Sequence, residues 1–252
     1  MRVVIVGGGI SGNAIKRAVE KRGAEALMLS RKSGFDVLKD DAAKRLEATG
    51  ADAVVEAAGH FTMSSKVAKK FFTQSTKVVS AASRAMGARH VLLSIVNCGL
   101  PIVQGYGYFA GKTAQEKLAR KTSEHLTIVR STQWYEFAGQ NLERMKLGPI
   151  ALVPGMTIAP VSLDAVADLV AECALGLRAQ GEYDITGPET TTLWDMTKAL
   201  PNKTVKPLPM PIPGGLGRAF RDGTLVPGAD AEVVGPTFSA WLRSAATTQS
   251  GK

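Results

Sequence analysis

The sequence has little cysteine, few aromatics and no long apolar run. Its two cysteines, Cys98 and Cys173, are far apart and unpatterned, which excludes a disulfide framework and points to a reducing compartment. No apolar run reaches the roughly 18 residues of a membrane helix, and strand-like sequence begins at Arg2 with no leader-type segment before it. A cytoplasmic protein without a membrane partner is expected. Aromatic residues make up 6% of the chain, too few for nucleic-acid stacking platforms. The pairs Lys16-Arg17, Lys21-Arg22 and Lys69-Lys70 fall within amphipathic helices, so the net charge of +9 does not predict a nucleic-acid partner. It can instead draw in an anionic cofactor. His60, His90 and His125 lack metal-ligand spacing, and no metal is expected.

What is present is an alternation of strand and helix. "RVVIV" is a continuous apolar run suited to a central parallel strand. "NAIKRAVEKRG" follows, with Ala14, Ile15, Ala18 and Val19 on one face and Gly23 as its stop. "EALMLS" reads as the second strand, "DAAKRLEATG" as a short helix capped by Asp40 and ending at Gly50, and "DAVVEAA" as the third strand. Residues 64–87 include "KVVSAA", which could pass for a strand. Val67, Phe71, Phe72, Val78, Val79, Ala82 and Met86 keep a helical rhythm, so one long helix closed by Gly87 is expected. "HVLLSIV", "YFAGKTAQEKLARKTSEH" and "LTIVRS" continue as strand, helix and strand. Such alternation predicts an α/β fold, a Rossmann-type doubly wound parallel sheet. The later sequence is less regular. Ser162 can cap "LDAVADLVAECALG", "EYDITGP" reads as a late strand, and "KPLPMPIPGG" leads into "LGRAFRDG" and "TFSAWLRSA". The expected division is a Rossmann core over 1–133 and a small C-terminal substrate-binding lobe over 134–252, with 182–187 returning to the core sheet.

Gly7, Gly9 and Gly12 form G-x-G-x-x-G between the first strand and its helix. This pattern gives a tight turn, close approach of a pyrophosphate to the backbone at Gly9, Ile10 and Ser11, and close helix–strand packing. Flavin and NAD sites of this type end the second strand with a carboxylate about 20 residues on. Here that strand ends Ser30-Arg31-Lys32, a hydroxyl and two cations where a 2′-phosphate would lie, and Arg31 can also stack on adenine. The expected cofactor is NADP(H).

Tyr108 and Lys112 stand i, i+4 at the start of the helix after the fourth strand, with Ser94 in that strand. Carbonyl reduction by hydride needs a proton donor at the developing alkoxide, and a nearby cation makes a phenol a better donor. In this reading Tyr108 is the acid, Lys112 lowers its pKa and holds the nicotinamide ribose, and Ser94 orients the carbonyl. Tyr106 competes for the acid's place; the lysine spacing favours Tyr108.

The ordered set "GGGISG", "SRKSGFDV", "EAAGHF", "LLSIV", "YFAGKTAQEKL", "LTIVRSTQWYEF", "PVSLDAVADLV" and "GEYDITGPE" resembles the short-chain dehydrogenase/reductase superfamily, in particular its atypical NmrA-like NAD(P)-binding branch, to about Trp241. The resemblance implies adenine contacts from Asp36 and Val37, a cofactor-lining strand end at Ala57, Ala58 and Gly59, and Ser131 and Thr132 near the nicotinamide. It also implies catalytic roles for Ser94, Tyr108 and Lys112. Two departures stand out: Val6 where many relatives have another glycine, and Ala57 in place of the asparagine of Asn-Ala-Gly. The branch also includes members that bind NAD(P) without turnover and act as redox-sensing regulators.

Two functions therefore stand open: an NADP(H)-dependent reductase of a small carbonyl, quinone or enone, and a non-catalytic NADP(H)-binding regulator. Trp134, Tyr135 and Phe137 either wall a substrate pocket or form lobe core. Cys98 either faces the nicotinamide or packs as a small core residue, and Asp164 is explained by a helix N-terminus. A small-molecule substrate is expected, on a monomer or homodimer.

Overall fold

The computed structural model describes residues 1–201 and 203–250, the side chains of 245–250 excepted. Its first half alternates as β1 (Arg2–Val6), α1 (Ile10–Lys21), β2 (Glu25–Leu29), α2 (Ala42–Glu47), β3 (Ala53–Glu56), α3 (Ser65–Met86), β4 (Arg89–Ile95), α4 (Gly107–Thr122) and β5 (Leu126–Ser131). The remainder comprises α5 (Phe137–Arg144), β6 (Lys146–Leu147), β7 (Ile150–Pro154), β8 (Thr157–Ile158), α6 (Leu163–Ala174) and β9 (Glu182–Thr186). It continues through β10 (Thr191–Thr192), α7 (Leu193–Ala199), β11 (Lys206–Met210), α8 (Gly214–Arg221), β12 (Glu232–Val233) and α9 (Phe238–Ser250).

A seven-stranded sheet runs in the order β12-β9-β5-β4-β3-β1-β2. The pairings of β1 with β2, β1 with β3, β3 with β4 and β9 with β12 are all parallel. β1 lies between β2 and β3, so the chain winds outward from it in both directions. In open α/β sheets that reversal opens a crevice at the carboxyl ends of the strands.

The strands are where continuous apolar runs place them. Val3, Val4, Ile5, Val54, Val55, Val91 and Leu92 are buried, as expected for a sheet covered on both faces. The long helix α3 forms as the rhythm requires: Ser64 caps it by accepting the Val67 amide at 3.4 Å, and Gly87 ends it in the left-handed region. The Asp40 cap is a correction. Residues 36–41 already turn, with Lys39 N–H on Asp36 C=O and Ala42 N–H on Lys39 C=O. α2 thus starts at Ala42, preceded by a helical Asp41 that makes no side-chain cap bond.

Contacts divide the chain into two units, Met1–Arg130 with Val166–Tyr183, and Ser131–Ala165 with Asp184–Lys252. Most of α6, assigned by the sequence to the lobe, thus groups with the first unit. The second unit contains a three-stranded sheet ordered β11-β7-β6 and the β8–β10 pair. Among the described residues no helix is long and apolar enough to cross a membrane.

Candidate active site

The glycine turn occupies the carboxyl end of β1. Gly7 takes φ +132°, and a Cβ there would fall 2.7 Å from the main chain of Ala57 and Ala58. A Cβ on Gly12 would fall 1.9 Å from the Gly7 carbonyl oxygen. These two glycines close the turn against β3 and against itself. Gly9 differs: its backbone is extended (φ −80°, ψ −168°), and a Cβ there would meet nothing within 4 Å. The open space lies at the N-terminus of α1, a twelve-residue helix with no acidic residue in its first turn. Helix N-terminal amides lack intrahelical partners and favour an anion. The cradle fits a pyrophosphate.

The end of β2 abuts this turn, since a Cβ on Gly8 would lie 2.7 Å from Ser30 Oγ. Ser30 N–H donates to Ser33 Oγ at 2.9 Å, and the Ser33 amide donates back to the Ser30 carbonyl at 2.9 Å. That tight turn presents Arg31 and Lys32 to solvent. Among the described residues neither has a carboxylate partner. The Asp36 carboxylate accepts the Leu38 amide at 3.0 Å, and Val37 is buried with Val4, Val6 and Phe35.

The Tyr108 hydroxyl reaches the end of β3, 3.3 Å from where a Gly59 Cβ would be. Its ring stands edge-on to Phe72 of α3, 5.3 Å between centroids. The Lys112 ammonium lies over the same Phe72 ring, 4.9 Å from its centroid. Tyr106 packs instead on Phe109 at 5.1 Å. Lys112 is buried; Nζ donates to the Leu93 carbonyl at 2.6 Å and to Gln115 Oε1. Burial pushes its pKa down, opposed by Glu56, Cys98 and Glu116.

Ser94 is also buried, and its hydroxyl donates to Glu116 Oε1 at 2.5 Å. A hydroxyl has one hydrogen, so to orient a carbonyl as donor Ser94 must first release Glu116. Burial would raise the Glu116 carboxyl, but hydrogen bonds from Arg130 and Ser94 bring it below its ordinary value. Arg130 grips Glu116 through Nε and Nη2 at 2.9–3.1 Å and reaches Glu182 at 2.5 Å, where Arg120 also binds at 2.7 Å. Cys98, whose thiol lies 3.6 Å from Glu116, is pushed up to about 11, chiefly by burial.

This cluster gives the chain an acid-sensitive point. The Arg120 hydrogen bond, then that of Arg130, holds Glu182 at about 2 against an ordinary 4.5. A depressed carboxylate stabilises above its unfolded pKa and loses that contribution as pH falls through the folded one. Urea midpoints should therefore fall between pH 4.5 and 2, and less steeply in Glu182→Gln. The Glu182 side chain is 44% exposed, so its own share is that of a screened pair, about 1 kcal/mol or less.

The other candidates lie in the second unit. The Thr132 amide donates to the Ile185 carbonyl at 3.1 Å, while its buried Oγ1 has no hydrogen-bond partner among the described residues. Trp134 Nε1 donates to Ser131 Oγ at 2.9 Å. Tyr135 is core: its hydroxyl donates to the Pro236 carbonyl at 2.5 Å and its ring packs on Phe238 and Trp241. Burial pushes its phenol up to about 12. Phe137 opens α5 and is half-buried.

The sequence reading passed over Glu56, Gln115, Glu116 and Arg130, and weighed His90 only as a metal ligand. A signal was available for each carboxylate and for the arginine. Glu56 and Arg130 interrupt otherwise apolar strands, and charges are almost never fully buried unless paired. Gln115 and Glu116 stand i+3 and i+4 from Lys112 on one helix.

No family model matches the chain, and no curated protein does. Solved structures do. A dTDP-4-dehydrorhamnose reductase from Clostridium acetobutylicum superposes with a TM-score of 0.75 at 16% identity, over 99% of this chain and 100% of that one. The likeness shows a Rossmann-type fold. A dTDP-4-dehydrorhamnose reductase from Bacillus anthracis, in complex with NADP, gives 0.72 at 13% identity, over 98% and 99%. The Bordetella bronchiseptica enzyme WbmG, in complex with NAD, gives 0.66 at 15% identity, over 97% and 94%.

Proposed function

We propose that the chain is an NADP(H)-dependent reductase of a small carbonyl, quinone or enone, of the short-chain dehydrogenase/reductase type and its NmrA-like branch. The observation that carries this reading is the juxtaposition at one sheet edge. An unfilled space at Gly9 before α1, two exposed cations after Ser30 with no carboxylate partner among the described residues, and the Tyr108 hydroxyl near Gly59 all lie past the carboxyl ends of β1, β2 and β3. The fold shared with reductases, one of them in complex with NADP, supports it. The second unit serves as the substrate lobe, with Trp134 and Phe137 its candidate substrate contacts.

The bound dinucleotide supplies the hydride; the chain supplies position and proton. The α1 N-terminus and Gly9 hold the pyrophosphate, and Arg31 and Lys32 hold the 2′-phosphate. Tyr108 donates its proton to the carbonyl oxygen, and Lys112, which contacts the same Phe72 ring, supplies the cationic field that makes the phenol a better acid. Ser94 serves only if it leaves Glu116. That last observation favours one alternative, an NADP(H)-binding regulator without turnover.

Steady-state NADPH oxidation against a panel of quinones, enones and ketones tests the reading. Turnover with one class is expected. Tight NADPH binding with no class reduced, and a large affinity difference between oxidised and reduced cofactor, would instead support the regulator. Arg31→Ala is expected to weaken NADPH binding about tenfold, roughly one charge-assisted hydrogen bond, and NADH binding little. Fluorescence titration of both cofactors checks it, and a uniform loss removes Arg31 from the 2′-phosphate.

A further inference from the structure

The buried group that this chemistry leaves unused is Glu56. It ends β3 and is fully buried, where an unpaired carboxylate would be strongly destabilising. Four side chains bind it. Ser75 donates at 2.6 Å, Thr76 bridges both oxygens at 3.0 Å, Gln115 Nε2 donates at 2.8 Å, and His90 Nε2 lies at 3.1 Å. His90 is set in turn by Ser123 Oγ, 2.8 Å from Nδ1. These partners come from α3, β4 and α4.

Gln115 has a particular polarity. Its amide NH2 faces Glu56 and its carbonyl oxygen accepts from the Lys112 ammonium. Reversing the amide would place NH2 against ammonium and oxygen against carboxylate, so both neighbours fix one orientation. Lys112 is then held at two points, Gln115 Oε1 and the Leu93 carbonyl. A buried anion stands one amide away.

We propose that Glu56 is a positioning residue that acts on Lys112 through Gln115, fixing the ammonium and supplying its buried counter-charge. This rests on the reductase reading for its purpose, because that reading gives Lys112 its task. The link itself needs no cofactor. The other titratable groups that act on Lys112 are Cys98 after β4 and Glu116 on α4. Glu116 is already engaged by Arg130 and Arg120, which leaves Glu56 as the carboxylate without an arginine of its own among the described residues. His90 binds Glu56 directly, and α3 contributes the uncharged Phe72, Ser75 and Thr76.

The test is a side-chain NMR titration of apo protein labelled at the lysine ε-carbons. Lys112 is the one buried lysine among the described residues, and its signal is assigned by its loss in Lys112→Met. In Glu56→Gln, which keeps an acceptor for Gln115, Lys112 is expected to titrate at lower pH than in the parent protein. Gln115→Leu, which leaves Glu56 its other three partners, is expected to shift it the same way and serves if Glu56→Gln does not fold. An unchanged Lys112 titration in either folded variant overturns the proposal. NADPH affinity separates the two ideas. If Lys112 shifts and binding weakens about tenfold, the loss of roughly one charge-assisted hydrogen bond, both stand. If Lys112 shifts and binding holds, the link stands and the cofactor role of Lys112 falls.

Discussion

Tyr108→Phe is expected to lower kcat by two to four orders of magnitude, the usual contribution of a positioned general acid, while NADPH affinity and melting temperature stay near parental values. The ring's edge-on contact with Phe72 and its place on α4 survive loss of the oxygen. The change falls on the hydroxyl that stands at Gly59. Kinetics with whichever acceptor class is reduced, together with cofactor titration, check it. A variant with unimpaired kcat removes Tyr108 from the chemistry and returns the acid's role to another group. Tyr106→Phe is the internal control and should leave kcat near the parental value, because the Tyr106 ring packs on Phe109.

Gly9→Ala and Gly12→Ala should separate binding from folding. At Gly9 the backbone is already extended and an added methyl meets nothing within 4 Å, so stability should fall by no more than about 1 kcal/mol, the preference for Gly over Ala at a helix N-cap. The methyl would nevertheless stand in the space assigned to the pyrophosphate, and NADPH affinity should fall at least tenfold. At Gly12 the methyl would lie 1.9 Å from a backbone oxygen, which no rotamer change relieves. About 3 kcal/mol of destabilisation is expected there, at the upper end of ordinary overpacking, together with loss of binding. Urea melts beside cofactor titrations read both. Equal loss of stability in the two variants would contradict the open cradle at Gly9.

The first half of the chain was legible because its physics is local. Strands buried on both faces are continuous apolar runs, and α3 carries its own start and stop in Ser64 and Gly87. The second unit hid its strands. β6, β8, β10 and β12 are two residues long, too short for any periodicity. β11 reads as a proline-rich linker because Pro207 and Pro209 lie within it. As an edge strand paired, among the described residues, with β7 alone, it tolerates residues that cannot donate to a ladder. At the site, the glycine turn and the basic end of β2 announced themselves through residue type. The Glu56 and Glu116 networks did not, since each joins residues from three or more segments that only the fold brings together. Ser94 shows the difference. Its position suggested a substrate contact, while its hydrogen is given to a carboxylate twenty-two residues away.

The central claim is that this turn and the cations beside it hold a nicotinamide dinucleotide with a 2′-phosphate. Parallel fluorescence titrations of the unmodified protein with NADPH, NADH and FAD test it most directly. Saturable NADPH binding at least tenfold tighter than NADH, about the worth of one charge-assisted hydrogen bond, with no FAD binding, is the expected result. Equal affinity for NADPH and NADH, or preferential uptake of FAD, would contradict it.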